Sequence, residues 1–420
     1  MKLPVMTIVL GMFVAGSLVY AGFPEGWDAN SPVFRGPNGN GFLPKATAVT
    51  EWSEADSQNI LWKVALGGPG WSSPVAWGDK VVVTSADQEV RRVHCYNAAT
   101  GEQMWLSEVP SIEGTTDDYE LDTMDPRWDE IMHAAATPAT DGKLVFTLFS
   151  NGQLSAFDLA DGAHKWSVAL GDSSFNTYGV ANSLLVYGGN VIAVFEGDPS
   201  IIAAYDKASG KEVWKSNRSG ATWGSPVLAE NEAGRMLVIV FADPNVTAWD
   251  AGSGEQVWNQ DVLTRSPEYC VGPSPTVAGG VVAVNADNCG IYGLNINTGE
   301  KLWEIEDLPD GSGFPDGASM ATDGKLLYQY FEFVLTIINP ADGEVVKQME
   351  VDEFATYASP LVIGDKLYLF ADHAAVVLTT GVEPSAVGTA AMNEGSDSTP
   401  AVAGGRIFIR TDDSLYAIGK

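Results

Sequence analysis

Residues able to carry chemistry are few in this chain. It has three cysteines (Cys95, Cys270, Cys289) and four histidines (His94, His133, His164, His373). No cysteines show the Cys-x-x-Cys spacing of a metal or redox motif, and no histidines stand at zinc-ligand intervals. Nor does the sequence assemble a Ser/His/Asp constellation, so no catalytic residue is assigned. Carboxylates, by contrast, are plentiful. An acidic run at 112–131 contains Asp118, Glu120 and Asp122, which imitate the first ligands of a calcium loop. Thr123 replaces the glycine such a loop requires, and Asp129 stands where its bidentate Glu belongs, so a solvated acidic lid or partner-binding loop competes with the metal reading. Six further aspartates recur at equivalent places: Asp87, Asp198, Asp243, Asp287, Asp372 and Asp412. They read as turn formers or as a set attracting cations or a basic partner. Finally, Trp71, His133, Tyr178, Trp223, Phe314 and Tyr357 each precede an apolar run. Their rings can stack a planar ligand or a peptide, or simply cover strand ends.

The elements that must position these residues follow from a repeat. One phrase is an aromatic or apolar residue, Asp/Asn, two residues, Thr/Ser/Asp-Gly, then Trp four places on. It appears at Tyr96-Asn97…Thr100-Gly101 with Trp105 and at Phe157-Asp158…Asp161-Gly162 with Trp166. It recurs as Tyr205…Gly210 with Trp214, Trp249…Gly254 with Trp258, and Leu294…Gly299 with Trp303. A sixth copy, Ile338…Gly343, has Lys347 in place of Trp, and a seventh around Thr380-Gly381 is degenerate. A second phrase, Ser/Thr-Pro before an alternating apolar run, stands at Pro74, Pro138, Pro226, Pro275, Pro360 and Pro400, with weaker versions at Ser183 and Met320. The intervals are about 40–50 residues, except a longer first one that holds the acidic insertion. That is the period of a four-stranded propeller blade.

The predicted fold is therefore all-β: a single eight-bladed propeller of four-stranded antiparallel blades, or seven blades if the third or sixth unit is over-counted. Within a unit the strands run A to D, and Thr-Gly supplies the positive-φ corner between C and D. Trp62, Trp105, Trp166, Trp214, Trp258 and Trp303 on D strands are expected to pack between blades. The last unit has only three strands, whereas Ile60–Leu66 is an orphan D-like strand; pairing the two closes the ring and removes exposed edges. The D–A and B–C loops then share one face, and the A–B and C–D turns the other. The aromatic set and the acidic insertion belong to the long-loop face. Cys270 and Cys289 fall at the same end of one blade, making a disulfide feasible, while Cys95 lies within a strand as a buried thiol. A short helical turn is expected near 124–133.

These Asp-x-x-Thr-Gly-x-x-x-Trp phrases resemble the repeat of the pyrroloquinoline-quinone (PQQ)-like β-propeller family, over about residues 60–420. Ser31-Pro32-Val33-Phe34-Arg35-Gly36-Pro37-Asn38-Gly39 is similar to the leader of exported members. The family includes quinoprotein alcohol dehydrogenases and the outer-membrane assembly lipoprotein BamB, so the resemblance implies either PQQ-dependent oxidation, with calcium, or a non-catalytic scaffold. The quinoproteins carry adjacent cysteines against the quinone, which this chain lacks, and they are generally longer. The expectation is a BamB-like scaffold without a cofactor, binding a protein, peptide or glycan on its long-loop face; the alternative is a PQQ-dependent quinoprotein oxidoreductase.

Composition and compartment agree with that expectation. The chain has 420 residues, 45% apolar, with 13 Trp, 54 Asp+Glu against 23 Lys+Arg and a net charge of −31. So acidic a surface repels phosphate backbones and excludes nucleic acid as a partner. Residues 1–21 read as a signal peptide, with Lys2, an apolar Val5–Val14 stretch and a Val19-Tyr20-Ala21 cleavage site. An extended segment, 22–59, follows. Gly22 stands where a lipoprotein would have Cys, so the expectation is an exported periplasmic or secreted protein with no lipid anchor and no transmembrane span after cleavage.

Overall fold

The computed structural model describes residues 23–87, 89–116, 132–173, 179–263 and 271–420. Alternating Val/Ile/Ala runs broken by Gly-Asp, Gly-Gly and Thr-Gly turns have one stable outcome, short antiparallel strands. Among the described residues there are eight sheets. Blade 1 shows the pattern: A is Val75–Trp77, B is Lys80–Ala86, C is Arg91–Asn97 and D is Gln103–Glu108. Blades 2–7 follow at 139–169, 185–217, 227–261, 276–305, 321–350 and 361–391. Within each blade, buried residues of B and C fill the space between neighbouring sheets, while D strands alternate exposed and buried positions.

Blade 8 is built from both ends of the chain. Its A, B and C strands are Ala401–Ala403, Arg406–Arg410 and Ser414–Ile418, and its D strand is Ile60–Ala65. Trp62 lies opposite Ala417, and Val64 opposite Leu415. The closing strand is held further by Lys63, 3.0 Å from Glu54 and 2.5 Å from Glu394.

The tryptophans join blade to blade. Each indole N–H donates to a carbonyl in the C–D turn of the next blade: Trp62 to Ala98, Trp105 to Leu159, Trp166 to Lys207, Trp214 to Ala251, Trp258 to Ile296 and Trp303 to Pro340. The ring lies on the turn glycine. A Cβ on Gly254, whose φ is +72°, would fall 2.5 Å from the Trp214 ring. Glycine is therefore required there twice over, for the left-handed backbone and for the ring above it.

Two junctions break the rule. In blade 6 Lys347 takes the Trp position, opposite Ile337, and reaches Glu383 of blade 7 at 3.0 Å. In blade 7 the same position is Gly388, opposite Val377, and a Cβ there would strike the Thr50 carbonyl at 2.0 Å. The segment before the closing strand thus occupies the place of the missing indole. Its short strands Phe42–Leu43 and Trp52–Ser53 pair in parallel with the two edges of blade 7, giving that sheet six strands. Within the extended segment 22–59, these strands are a structural part of the ring.

Near the expected helical turn at 124–133, the described residues form a 3-10 turn at Met132–Ala134. The rest of the acidic insertion, 117–131, lies outside the described residues.

Candidate functional site

The site grows out of the residues that open each A strand. Ser73, Thr137, Ser183, Ser225, Ser274, Ser319, Ser359 and Thr399 form a belt around the central axis. The hydroxyl of each of the last seven accepts a hydrogen bond from the backbone N–H of the belt residue one blade earlier, at 2.8–3.2 Å. Ser/Thr is needed because a blade start leaves an N–H pointing along the ring rather than along a strand. Between blades 8 and 1 the Ser398 hydroxyl donates to the Trp71 carbonyl at 3.3 Å. The fully buried Arg410 also donates there, to Ser72 and Thr84. Burial pushes the Arg410 guanidinium down to about 10.

Below the belt the bore is closed. Residues 31–43 cross it and bond to the middle of successive A strands. The Ser31 hydroxyl accepts from Val402 N–H (2.8 Å), and its carbonyl accepts from Ala76 (2.8 Å). Pro32, Asn38 and Gly41 carbonyls accept from Thr140, Leu228 and Val362. Asn40 exchanges two hydrogen bonds with Val277. Arg35, 1% exposed, donates to the Pro275 and Met320 carbonyls and to the Thr276 hydroxyl. Burial pushes its guanidinium down to about 9. These contacts lie further along the A strands than the belt, on the short-turn side. Among the described residues the channel is thereby a cup closed on the short-turn side and opening toward the D–A and B–C loops.

The cup has a volume of about 470 Å³, with Phe34 and seven of the eight belt residues lining its depth. Trp71, Trp223, Tyr357, Asp316 and Asp397 line its mouth. In ring order Asp316, Tyr357, Asp397 and Trp71 introduce blades 6, 7, 8 and 1, so two carboxylates alternate with two aromatic rings along one side. Trp223 introduces blade 4, across the ring. Trp71 and Tyr357 meet edge to face, with centroids 5.5 Å apart. The Tyr357 hydroxyl stands 3.5 Å from the Asp316 carboxylate. Burial pushes the Asp316 carboxyl above the usual carboxylate range. Close crossing of these loops depends on small residues: a Cβ at Gly317 would lie 2.3 Å from the Tyr357 ring.

Three of the six aromatic candidates, Trp71, Trp223 and Tyr357, therefore meet at the mouth. His133 and Phe314 do not. His133 is 5% exposed within the 3-10 turn, whose neighbours Met132 and Ala135 face the cup in its place. Phe314 is packed among Trp303, Leu308 and Met320 in the core between blades 5 and 6. Tyr178, the weak metal candidates Asp118, Glu120 and Asp122, and Cys270 lie outside the described residues. Cys289 is buried at the B–C end of blade 5. Cys95 is buried in strand C of blade 1, where burial pushes its thiol up to about 12.

Of the recurrent aspartates, Asp87 turns inward to its own loop. The Asp87 carboxylate accepts from the N–H groups of Glu89 and Val90 and pairs with Arg92 at 3.3 Å. Among the described residues no group of three or more His, Cys, Asp or Glu is placed to hold a metal ion. Sequence reasoning missed Asp316 and Asp397, which lack a flanking motif. It also missed Phe333 and Phe354, exposed on the same face with ring centroids 5.2 Å apart.

Comparison with known proteins places this arrangement. The sequence profile of the family described as "Outer membrane protein assembly factor BamB" matches residues 49–201 and 198–420. The outer membrane protein assembly factor BamB of Yersinia pestis is 25% identical over 60% of this chain, which spans 63% of that relative's length. Among solved structures, BamB from Moraxella catarrhalis aligns with a TM-score of 0.61 at 16% identity, over 86% of this chain and 97% of that one. Quinohemoprotein alcohol dehydrogenase from Comamonas testosteroni aligns at 0.66 and 14% identity, over 93% of this chain and 80% of that one. At those identities the two structures share the fold. No helix among the described residues is long and apolar enough to cross a membrane.

Proposed function

The chain belongs to the outer membrane protein assembly factor BamB family, and from that premise we propose that it is an exported, non-catalytic scaffold that holds a partner protein or peptide on its long-loop face. The partner would be engaged in assembling outer-membrane proteins, as the relatives' names describe. The observation that carries this reading is the cup: a ring plugged on one face and open on the other, with Trp71, Trp223 and Tyr357 at the opening. Aromatic rings at a concave, partly desolvated mouth are the side chains that dominate binding energy at protein interfaces. The exposed Phe333–Phe354 pair adds a second aromatic feature to the same face.

The quinone reading fits the residues poorly. PQQ carries three carboxylates, and a cradle for it needs cations. Among the described residues that line the cup there is no Lys or Arg, whereas Asp316 and Asp397 are present. Calcium held by carboxylates would have to supply the positive charge, and only two carboxylates line the cup, where no three His, Cys, Asp or Glu among the described residues are placed to hold a metal ion.

A photo-crosslinking amino acid placed at Trp223 or Phe354, and separately at Thr100 or Ser209 on the short-turn face, tests the scaffold in living cells of the source organism. A discrete protein adduct from the first pair and none from the second is expected. Adducts from the short-turn face alone would overturn the assignment.

A further inference from the structure

The belt at the blade starts leaves hydrogen-bonding capacity unspent inside the cup. Seven of its hydroxyls each accept one backbone N–H, from Ser73 N–H on the Thr137 hydroxyl round to Ser359 N–H on the Thr399 hydroxyl. A hydroxyl has one proton to donate and two lone pairs, so each of these keeps a donor and a second lone pair. Among the described residues none of the eight donates its proton to a protein acceptor, and the Ser73 hydroxyl, between blades 8 and 1, makes no hydrogen bond at all. All eight residues are at most 5% exposed, and seven of them line the cavity. Buried hydroxyls cost free energy until a partner meets them.

The bottom of the cup supplies the second feature, the aromatic side chain of Phe34 carried in by the plug. Ala135, Ala181, Gly272 and Gly317 also line the cavity and leave it wide enough for a ring. The belt is uncharged, so neither an anion nor a cation finds a counter-charge at that depth. No Lys or Arg among the described residues lines the cup, and the net charge of −31 repels an anion from a distance. A wholly apolar ligand would leave the belt donors unpaired. What matches is a neutral ring with an apolar face and an edge of hydroxyls that both donate and accept.

We propose that the depth of the cup binds a neutral sugar, a pyranose unit seated over Phe34 with its hydroxyls exchanging hydrogen bonds with the belt. This goes beyond holding a protein, and it requires nothing of the carboxylates or rings at the mouth. A volume of about 470 Å³ lies within the roughly 300–1,000 Å³ of pockets that enclose small ligands, so a monosaccharide fits with space for part of a longer chain.

Calorimetric titration of the purified protein tests it with the methyl glycosides of glucose, mannose, galactose and N-acetylglucosamine. Glucuronate, glucosamine and cyclohexylmethanol serve as anionic, cationic and hydroxyl-poor rings of similar size. At least one glycoside is expected to bind at a single saturable site, with the three control rings at least tenfold weaker. A site built to pair with ligand hydroxyls rejects an analogue that lacks them. Ser73→Ala removes the belt hydroxyl that accepts no N–H, so its thermal midpoint should match the wild type while the sugar binds about fivefold more weakly, the worth of one net hydrogen bond. Ala181→Phe fills the cavity and should abolish binding. Saturation by none of the four glycosides would show that water alone satisfies the belt and would overturn the proposal. A control ring binding as tightly as the best glycoside would overturn it too, as would wild-type affinity in both variants. Protein adducts from Phe354 do not depend on a sugar, so the scaffold reading and this one fail separately.

Discussion

Trp214 shows how a single side chain ties two sheets together. Its indole N–H reaches the Ala251 carbonyl at 3.3 Å, and its ring covers Gly254. Truncation removes a large buried surface and opens a cavity that the neighbouring strands cannot close. Trp214→Ala should cost about 3–5 kcal/mol. Gly254→Ala should also destabilise strongly, because the new methyl meets the ring and the backbone at φ +72° resists any Cβ. Lys347, at the matching place in blade 6, is the control. Its pair with the largely exposed Glu383 lies in water, and exposed pairs of this kind contribute about 0–1 kcal/mol. Urea denaturation of Trp214→Ala, Gly254→Ala and Lys347→Ala checks the ranking; a Lys347→Ala cost equal to that of Trp214→Ala would show that the indoles do not hold the blades.

At the scale of elements, the closing strand is the point where acid should act first. Glu54 and Glu394 both hold Lys63. Burial alone would raise each carboxyl. For Glu54 the Asn393 N–H, Lys63 and Tyr416 outweigh that, and for Glu394 Lys63, Thr411 and Ser414 do, so both sit below the usual 4.5. Carboxyls depressed in the folded state add stability that is complete above the unfolded value and disappears as pH falls through the folded one. Thermal midpoints followed from pH 7 down to about pH 3 should therefore fall more steeply for the wild type than for Lys63→Met, which lacks the lowering partner the two carboxyls share. Parallel curves would mean that the latch carries no such linkage.

What was legible in the sequence divides along these same elements. The blades, their number and the Trp62 closure could be read because each depends on local chemistry: Asn97 binding the N–H groups two and three residues on, Thr-Gly turning the corner, Trp four places later. The plug could not, since Arg35 meets its partners 240 and more residues away and nothing near it in sequence announces them. The belt was visible as Ser/Thr-Pro, yet the hydroxyls' circular role appears only once blades are adjacent. His133 and Phe314 illustrate a different limit. An aromatic residue shortly before a strand has no periodicity to fix its direction, and the local 3-10 turn or hydrophobic packing decides it.

The whole molecule is a ring whose middle has been put to two uses. One end of the bore is filled by the chain's own residues 31–43, and the other is left as a cup with aromatic and acidic walls. Propellers of quinone enzymes and of assembly factors share this ring, so the overall shape is neutral between catalysis and holding. The residues facing the cavity are less so: among the described ones no Lys or Arg meets an anionic cofactor, and only two carboxylates are offered to a calcium ion that would accompany it. The most direct measurement is a spectroscopic titration of the purified protein with PQQ and calcium, coupled to dye-linked alcohol oxidation. No saturable quinone binding and no turnover is the result expected of a scaffold; stoichiometric binding accompanied by turnover would contradict it.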